Sequence, residues 1–211
     1  MSNKRALLML SGGIDSVYVM YKALSEGRHL HVHHIHLRNR EGRVDAEARA
    51  VRRVLAWMRR KGLTNFRYTE STVDYGSLRF LVKDFYTYAL FIGMIMSDPK
   101  NRDMDSFLHP RHSDAFNLRN GKVSFEQAAE RANAALTGIP SLMARREIKM
   151  ELPIGSMTKA DVIEACPPDL LRLAWFCRRP VKVGASFHQC NSCFTCAQVN
   201  ESVYRRKVAR V

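Results

Sequence analysis

The sequence lacks any apolar run near the roughly 20 residues that a membrane-spanning helix needs. Its longest apolar stretch, residues 86–96, is better explained as a buried helix. The chain starts Met-Ser-Asn-Lys-Arg, without the apolar region of a secretory signal. We therefore expect a cytoplasmic protein with no membrane partner. In that compartment the five cysteines should bind metal or stay free rather than form disulfides.

Acidic residues are also scarce. The chain has 34 Lys and Arg against 20 Asp and Glu, which gives a net charge of +14. Such an excess is compatible with a nucleic-acid partner. It is equally explained by solvated helix faces and a positive funnel for ATP, so charge alone does not decide between these interpretations.

Only two of the 11 glycines are adjacent, and they lie in an informative loop. The apolar run Ala6–Leu10 ends in Ser11-Gly12-Gly13-Ile14-Asp15-Ser16, and an amphipathic helical pattern follows at once. Glycine lets an anion approach the backbone, and the following helix directs N–H groups at it. Ser11, Gly12, Gly13 and Ser16 are therefore predicted to bind the phosphates of ATP. Asp15 is predicted to cap the helix or to bind Mg²⁺.

Strand-like and helix-like patterns alternate as far as residue 165. This alternation predicts an α/β fold with a doubly wound, mostly parallel sheet, whose ligands bind at the carboxyl ends of the strands. The pattern then changes at Pro167-Pro168. We expect a nucleotide-binding domain over residues 1–165 and a small helical metal-binding tail over residues 166–211.

The tail contains four cysteines at close spacing: Cys177, Cys190, Cys193 and Cys196. Four thiolates suit a closed tetrahedral Zn²⁺ site. An iron–sulfur cluster is the rival, since it also takes four cysteines. We favour structural zinc, partly because the loop chemistry implies no redox step. Cys166 is left over and is expected to be a buried apolar residue.

The loop sequence Ser-Gly-Gly-x-Asp-Ser resembles the PP-loop of the ATP pyrophosphatase superfamily, a Rossmann-like fold of the adenine nucleotide alpha hydrolase type. Together with Ile148–Pro153, the Thr158-Lys159-Ala-Asp161 segment and the cysteine order, the chain resembles the 7-cyano-7-deazaguanine synthase (QueC) family of queuosine biosynthesis. The resemblance implies an ATP-dependent C–N ligase. It would convert 7-carboxy-7-deazaguanine and ammonia to the amide or nitrile, with Lys159 and Arg119 as catalytic cations and Asp15 as a further catalytic residue.

The chain departs from that family's pattern at three places, one of which is Arg38-Asn39-Arg40, where the family has Asp-Tyr-Gly. Val82-Lys83-Asp84 stands where the family has a Pro-Gly-Arg-Asn turn, and Asn117 replaces an aspartate of the substrate loop. Two alternatives therefore stay open: a PP-loop enzyme that modifies a base in tRNA or DNA, and a nucleotide-binding scaffold without activity. A homodimer is a candidate assembly in each case.

Overall fold

The computed structural model describes residues 5–78, 84–115 and 125–200. Its centre is a five-stranded sheet in the order β3-β2-β1-β4-β5, and every pair of neighbours in it is parallel. The strands are β1 (Ala6–Met9), β2 (Leu30–Arg38), β3 (Phe66–Asp74), β4 (Ser106–Leu108) and β5 (Lys149–Glu151). This confirms the predicted parallel α/β sheet.

Helices cover both faces of the sheet. They are α1 (Ile14–Ser25), α2 (Val44–Arg60), α3 (Asp84–Ser97), α4 (Phe125–Ala144), α5 (Lys159–Ala165), α6 (Pro168–Leu171) and α7 (Phe194–Asn200). Side chains alternate along β1, so Leu8 joins the apolar core under α1, α2 and α5, while Leu7 and Met9 join the core under α3 and α4. A strand with both faces covered needs apolar residues throughout, which explains the unbroken run Ala6–Leu10.

Two elements run further than their sequence patterns predicted. The sequence pattern that begins at Phe66 predicts a strand only as far as Thr69, whereas β3 pairs with β2 as far as Asp74. The helical pattern that begins at Phe125 predicts a helix as far as Leu136, whereas α4 continues through Pro140 to Ala144. Ile139 packs against the second apolar core, and this burial explains why the helix continues past the residue that would ordinarily end it.

Helix α3 is less buried than the sequence indicated. Its inner face places Ala89, Ile92 and Met96 in the core. Leu90 and Met94 lie on the outer face and are 42% and 43% exposed. Within the described ranges, no helix is both long and apolar enough to cross a bilayer.

The tail after α5 packs on the α1 and α2 side of the sheet. It contains α6, the antiparallel hairpin of β6 (Val181–Val183) and β7 (Ser186–His188), and α7. Trp175, Cys177, Cys196 and Val199 are buried in the same apolar core as α1 and α2. The domain boundary after residue 165 stays a prediction.

Candidate nucleotide and metal sites

The glycine loop connects the carboxyl end of β1 to the first turn of α1. The backbone N–H of Leu10 still donates to His33 of β2 at 2.8 Å, and the chain then leaves the sheet. The hydroxyl oxygens of Ser11 and Ser16 lie 3.0 Å apart, and the backbone N–H of Gly13 donates to Ser11 Oγ at 3.2 Å. Hydroxyls and N–H groups thus meet at a helix N-terminus, an arrangement that can bind phosphate.

Gly12 and Gly13 are required to be glycine for different structural reasons. Gly12 has φ of +80°, and a Cβ there would lie 3.2 Å from both the Glu47 carbonyl oxygen and a Val51 methyl. Gly13 has an ordinary extended backbone, with φ −73° and ψ 157°. A Cβ at Gly13 would meet the hydroxyl oxygen of Ser11, a predicted phosphate-binding residue, at 3.2 Å. Gly12 therefore permits the fold of the loop, and Gly13 keeps its surface open.

The structure brings Asp15 and Lys159 together, although they are 144 positions apart. Lys159 Nζ lies 2.6 and 2.7 Å from the two carboxylate oxygens of Asp15. Thr158 and Asp161 form a capping box that starts α5, which sets Lys159 as the first helical residue at the rim of the sheet. Asp15 and Lys159 therefore form a carboxylate and ammonium pair at the mouth of the glycine loop.

His112 and Asp114 also belong to this rim, and the sequence patterns did not predict them as site residues. His112 Nδ1 is 2.5 Å from Asp114 Oδ1, and His112 Nε2 is 3.9 Å from Asp15 Oδ2. The backbone N–H of Lys159 donates to Asp114 Oδ1 at 3.0 Å. The available signal was their position just after β4, the neighbour of β1, where polar side chains reach the same edge. Arg119, which was the expected residue of this loop, lies outside the described residues.

The four predicted cysteines converge on one point. The Sγ atoms of Cys177, Cys190, Cys193 and Cys196 all lie within 4.8 Å of one another, and those of Cys190 and Cys196 are 3.9 Å apart. Four sulfurs at about 2.3 Å from one Zn²⁺ would be separated by about 3.8 Å. A cubane cluster binds each thiolate to a different iron, so its four ligand sulfurs lie further apart. The cysteines thus fit a single tetrahedral ion.

Backbone donors surround the sulfurs. The N–H of Cys190 donates to Cys177 Sγ and the N–H of Cys193 donates to Cys190 Sγ, each at 3.2 Å. Hydrogen bonds from the backbone and hydroxyl of Ser192 lower the pKa of the Cys190 thiol to about 6. Burial raises the pKa of Cys196. The donors favour the thiolate form that a metal ligand needs.

The metal site and the glycine loop are connected by a short segment of chain. The backbone N–H of Trp175 donates to the carbonyl of Gly12 at 2.8 Å. The indole N–H of the same residue donates to the carbonyl of Cys177 at 2.8 Å. One residue therefore makes hydrogen bonds to both sites.

A buried arginine network joins the tail to the starts of α2 and α3. Arg43, in the loop between β2 and α2, lies 2.5 Å from carboxylate oxygens of Glu41 and Asp84 and also pairs with Glu47. Arg178, next to Cys177 in the chain, lies 2.8 Å from Glu41. Burial raises the pKa of Glu47 to about 7. The network holds the start of α2 and the start of α3 against the tail.

A cavity of about 780 Å³ opens beside the cysteines. Cys193 and Phe194 line it together with three arginines, Arg40, Arg178 and Arg179, and one carboxylate, Glu41, which is paired with Arg178. The metal site is therefore adjacent to a positively charged space rather than enclosed on every side. Such a space suits an anionic ligand.

The fold is of the PP-loop type, and part of the chain matches the family model for the thiamine biosynthesis protein ThiI. The family model for ThiI matches residues 1–90, which contain the glycine loop, α1 and α2. Among curated proteins, none matches the sequence.

Three solved structures resemble the chain. The U34-tRNA thiolase NcsA from Methanococcus maripaludis, solved with its [4Fe-4S] cluster, is 13% identical with a TM-score of 0.54, over 100% of this chain and 72% of that one. A 4-thiouridine synthetase in complex with RNA and ATP is 14% identical with a TM-score of 0.46, over 98% of this chain and 50% of that one. A predicted subunit of a tRNA methyltransferase from Methanocaldococcus jannaschii is 10% identical with a TM-score of 0.39, over 76% of this chain and 73% of that one. At these identities NcsA shows a shared fold, and the expected likeness to 7-cyano-7-deazaguanine synthases stays a prediction.

Proposed function

We propose that the protein uses ATP to activate an oxygen atom of a base in RNA for substitution. The base oxygen attacks the α-phosphorus of ATP, the bond to the β-phosphate breaks, and pyrophosphate leaves. A nucleophile then attacks the carbon that carries the new phosphate ester, and the C–O bond breaks to release AMP. The observation that carries this proposal is the glycine loop with the Asp15 and Lys159 pair at its mouth.

In this proposal each side chain of the rim has a separate task. The loop N–H groups and the Ser11 and Ser16 hydroxyls bind the leaving pyrophosphate. Asp15 is the carboxylate that would hold Mg²⁺, which neutralises charge on the phosphates when bound. Lys159 stabilises the charge that develops on the α-phosphate, where one well-placed donor is worth about 100- to 1,000-fold in rate. His112, held by Asp114, is the group placed to accept a proton.

An RNA acceptor is supported by two observations. The chain carries a net charge of +14, which favours a polyanionic partner. Its fold is shared with a protein named as a tRNA thiolase, in an alignment that covers the whole chain. The net charge favours a DNA acceptor equally, but none of these three structures is named as a protein that acts on DNA.

For the metal we propose one structural Zn²⁺ rather than an iron–sulfur cluster, although NcsA was solved with a [4Fe-4S] cluster. The support is the single-ion spacing of the four sulfurs. If all four cysteines bind zinc, Cys166 is the remaining thiol, and it is only 1% exposed. The nucleophile is then supplied from outside the chain, as ammonia, an amine or a carried sulfide.

The second candidate is the conversion of 7-carboxy-7-deazaguanine and ammonia to the amide or nitrile. It is favoured by the position of Lys159 beside Asp15, where that family's lysine would act at the glycine loop, and by the single-ion cysteine spacing expected from that family's zinc site. The chemistry at phosphorus is the same, because a carboxylate or amide oxygen replaces the base oxygen as the attacking atom.

Pyrophosphate release separates these candidates. The protein is incubated with ATP and Mg²⁺, and either unfractionated tRNA with ammonia or 7-carboxy-7-deazaguanine with ammonia is added. Stimulation by tRNA alone supports the first candidate, and stimulation by the carboxylate alone supports the second. If neither acceptor raises pyrophosphate release above the rate of the Lys159→Met variant, both candidates are refuted and the scaffold alternative is favoured. Lys149→Met, at an exposed lysine on β5, is the matched control.

Metal analysis tests the zinc proposal independently. We expect one zinc per chain and no visible absorption in protein purified without oxygen. Iron and sulfide together with visible absorption, as expected for a thiolate-bound cluster, would overturn it.

A further inference from the structure

A groove lined with arginines lies between α2 and the tail. Two adjoining cavities of about 390 and 380 Å³ form it, and both are lined by Arg53, Trp175 and Phe187. Arg49 and Arg52 of α2 line the first cavity, and Arg172 lines the second. We call this surface the arginine groove.

The positive charge of the groove is not neutralised by its lining. Among the described residues that line either cavity there is no Asp or Glu. Arg52 and Arg53 are exposed, and neither has an ion pair within the described part of the chain. Arg43 and Arg178 differ in this respect, since both are paired with carboxylates. Adjacent arginines that repel one another without a carboxylate between them favour an anionic ligand.

One wall of the groove is held in a fixed position. Arg49 donates to the carbonyl of Ala185, and its guanidinium lies 4.9 Å from the centre of the Phe187 ring. These contacts attach the β6–β7 hairpin to α2. Arg52 and Arg53 follow Arg49 by three and four positions, so all three project from neighbouring turns of one helix face. The row of guanidiniums is therefore built on a rigid element.

The groove is close to the nucleotide site but separate from it. Trp175, which lines both cavities, donates its backbone N–H to Gly12 of the glycine loop. Helix α2 begins at the carboxyl rim of the sheet, so its arginines lie one to three turns below that rim. A chain bound in the groove can therefore extend over the rim towards Lys159.

We propose that the arginine groove binds the sugar–phosphate backbone of the RNA substrate and brings the target base to the glycine loop. Arginine pairs with phosphate oxygens through two parallel hydrogen bonds, which suits a row of guanidiniums along a phosphate backbone. The inference rests on the proposed function, because it names the surface that takes the RNA. It does not depend on which base is modified.

The test reverses two charges in the groove. Arg52→Glu with Arg53→Glu is compared with Arg102→Glu and Lys149→Glu, a control with the same total charge change at exposed positions near the amino ends of β4 and β5. Binding of unfractionated tRNA is measured by fluorescence anisotropy at several salt concentrations. We expect the groove variant to lose on the order of 10- to 100-fold in affinity and to reduce the salt slope by about 2, while the control changes by a few-fold. Equal losses in the two variants would show attraction by net charge alone and would overturn the proposal.

A second readout separates failure of the groove from failure of the function. ATP affinity by calorimetry should be unchanged in the groove variant, which verifies its fold. If the groove variant releases pyrophosphate with a wild-type KM for tRNA, the groove proposal is wrong and the proposed function stands. If the wild-type protein binds tRNA through the groove but tRNA does not stimulate pyrophosphate release, the proposed function is wrong and the binding surface stands. Stronger retention of duplex DNA than of tRNA by the wild-type protein would reject RNA as the occupant.

Discussion

The two glycines of the phosphate loop should respond differently to the same added methyl group. Gly12 has φ of +80°, in the left-handed region, where an L-residue costs about 1–2 kcal/mol. The new Cβ of Gly12→Ala would also lie 3.2 Å from the Glu47 carbonyl oxygen and from a Val51 methyl. Crowding of this kind in a packed interior costs roughly 1–2 kcal/mol more.

The free energy of unfolding should therefore fall by about 2–4 kcal/mol in Gly12→Ala. In a chain of this size the melting temperature falls roughly 2–4 °C for each kcal/mol, so a decrease of about 10 °C is expected. Gly13→Ala is the matched control for stability. Its backbone is already in a region that alanine adopts, and its Cβ meets a serine hydroxyl that can rotate away. We expect its unfolding free energy to stay within about 1 kcal/mol of wild type.

ATP affinity should rank the two variants in the opposite order. Relative to its loss of stability, Gly13→Ala should lose more ATP affinity than Gly12→Ala. Gly13→Ala, and more strongly Gly13→Val, places carbon where the phosphate must approach, so ATP affinity should fall about 10-fold or more. Urea denaturation and calorimetry with ATP measure the two effects separately. Equal stability of Gly12→Ala and Gly13→Ala would refute the conformational argument. Unchanged ATP affinity in Gly13→Val would refute the assignment of the loop.

Three other changes have expected outcomes. Lys159→Met should lower pyrophosphate release about 100-fold or more, because it removes the cation beside Asp15, and ATP binding by calorimetry should change much less. Cys166→Ser should retain the full metal content measured by mass spectrometry, since Cys166 is not among the four converging thiols. Burial lowers the pKa of each of three β2 histidines, including His33, from 6.5 to about 4. The contribution of the neutral rings to the free energy of unfolding is therefore complete above pH 6.5. It is lost as the pH falls towards 4, by up to roughly 3 kcal/mol for each histidine. When the free energy of unfolding is measured by urea titration at several pH values, its dependence on pH should be weaker by about one proton in His33→Asn. An unchanged dependence on pH would contradict the reasoning.

The sequence was most informative where the chemistry is local. Residues Ser11–Ser16 are contiguous, so their pattern predicted both the strand-to-helix turn and the phosphate site. Sequence also predicted four converging cysteines, because short spacings restrict where their sulfurs can meet. The sequence favoured zinc over a cluster without the distances between the sulfurs, because only the folded tail sets those distances.

Long-range pairs were harder to predict. Lys159 was proposed through the family resemblance, and its contact with Asp15 depends on the position of α5 at the rim of the sheet. His112 and Asp114 were missed, because a histidine followed two residues later by an aspartate has no distinctive pattern. The arginine groove required two elements more than 120 positions apart to be placed together. Local propensity carries no information about such contacts.

Metal removal should weaken ATP binding even though the two sites share no ligand. Trp175 donates its backbone N–H to Gly12 and its indole N–H to Cys177, so a tail without metal loses part of what holds the loop. One hydrogen bond is worth about 0.5–1.5 kcal/mol, which corresponds to roughly a 2- to 10-fold rise in the Kd for ATP. Calorimetry before and after chelation, followed by added zinc, measures the change and its reversal. Trp175→Phe leaves the backbone donor and the cysteines in place but removes the indole donor, so it should retain metal and show a smaller loss. An unchanged Kd in chelated protein that is still folded by circular dichroism would show that the two sites are independent.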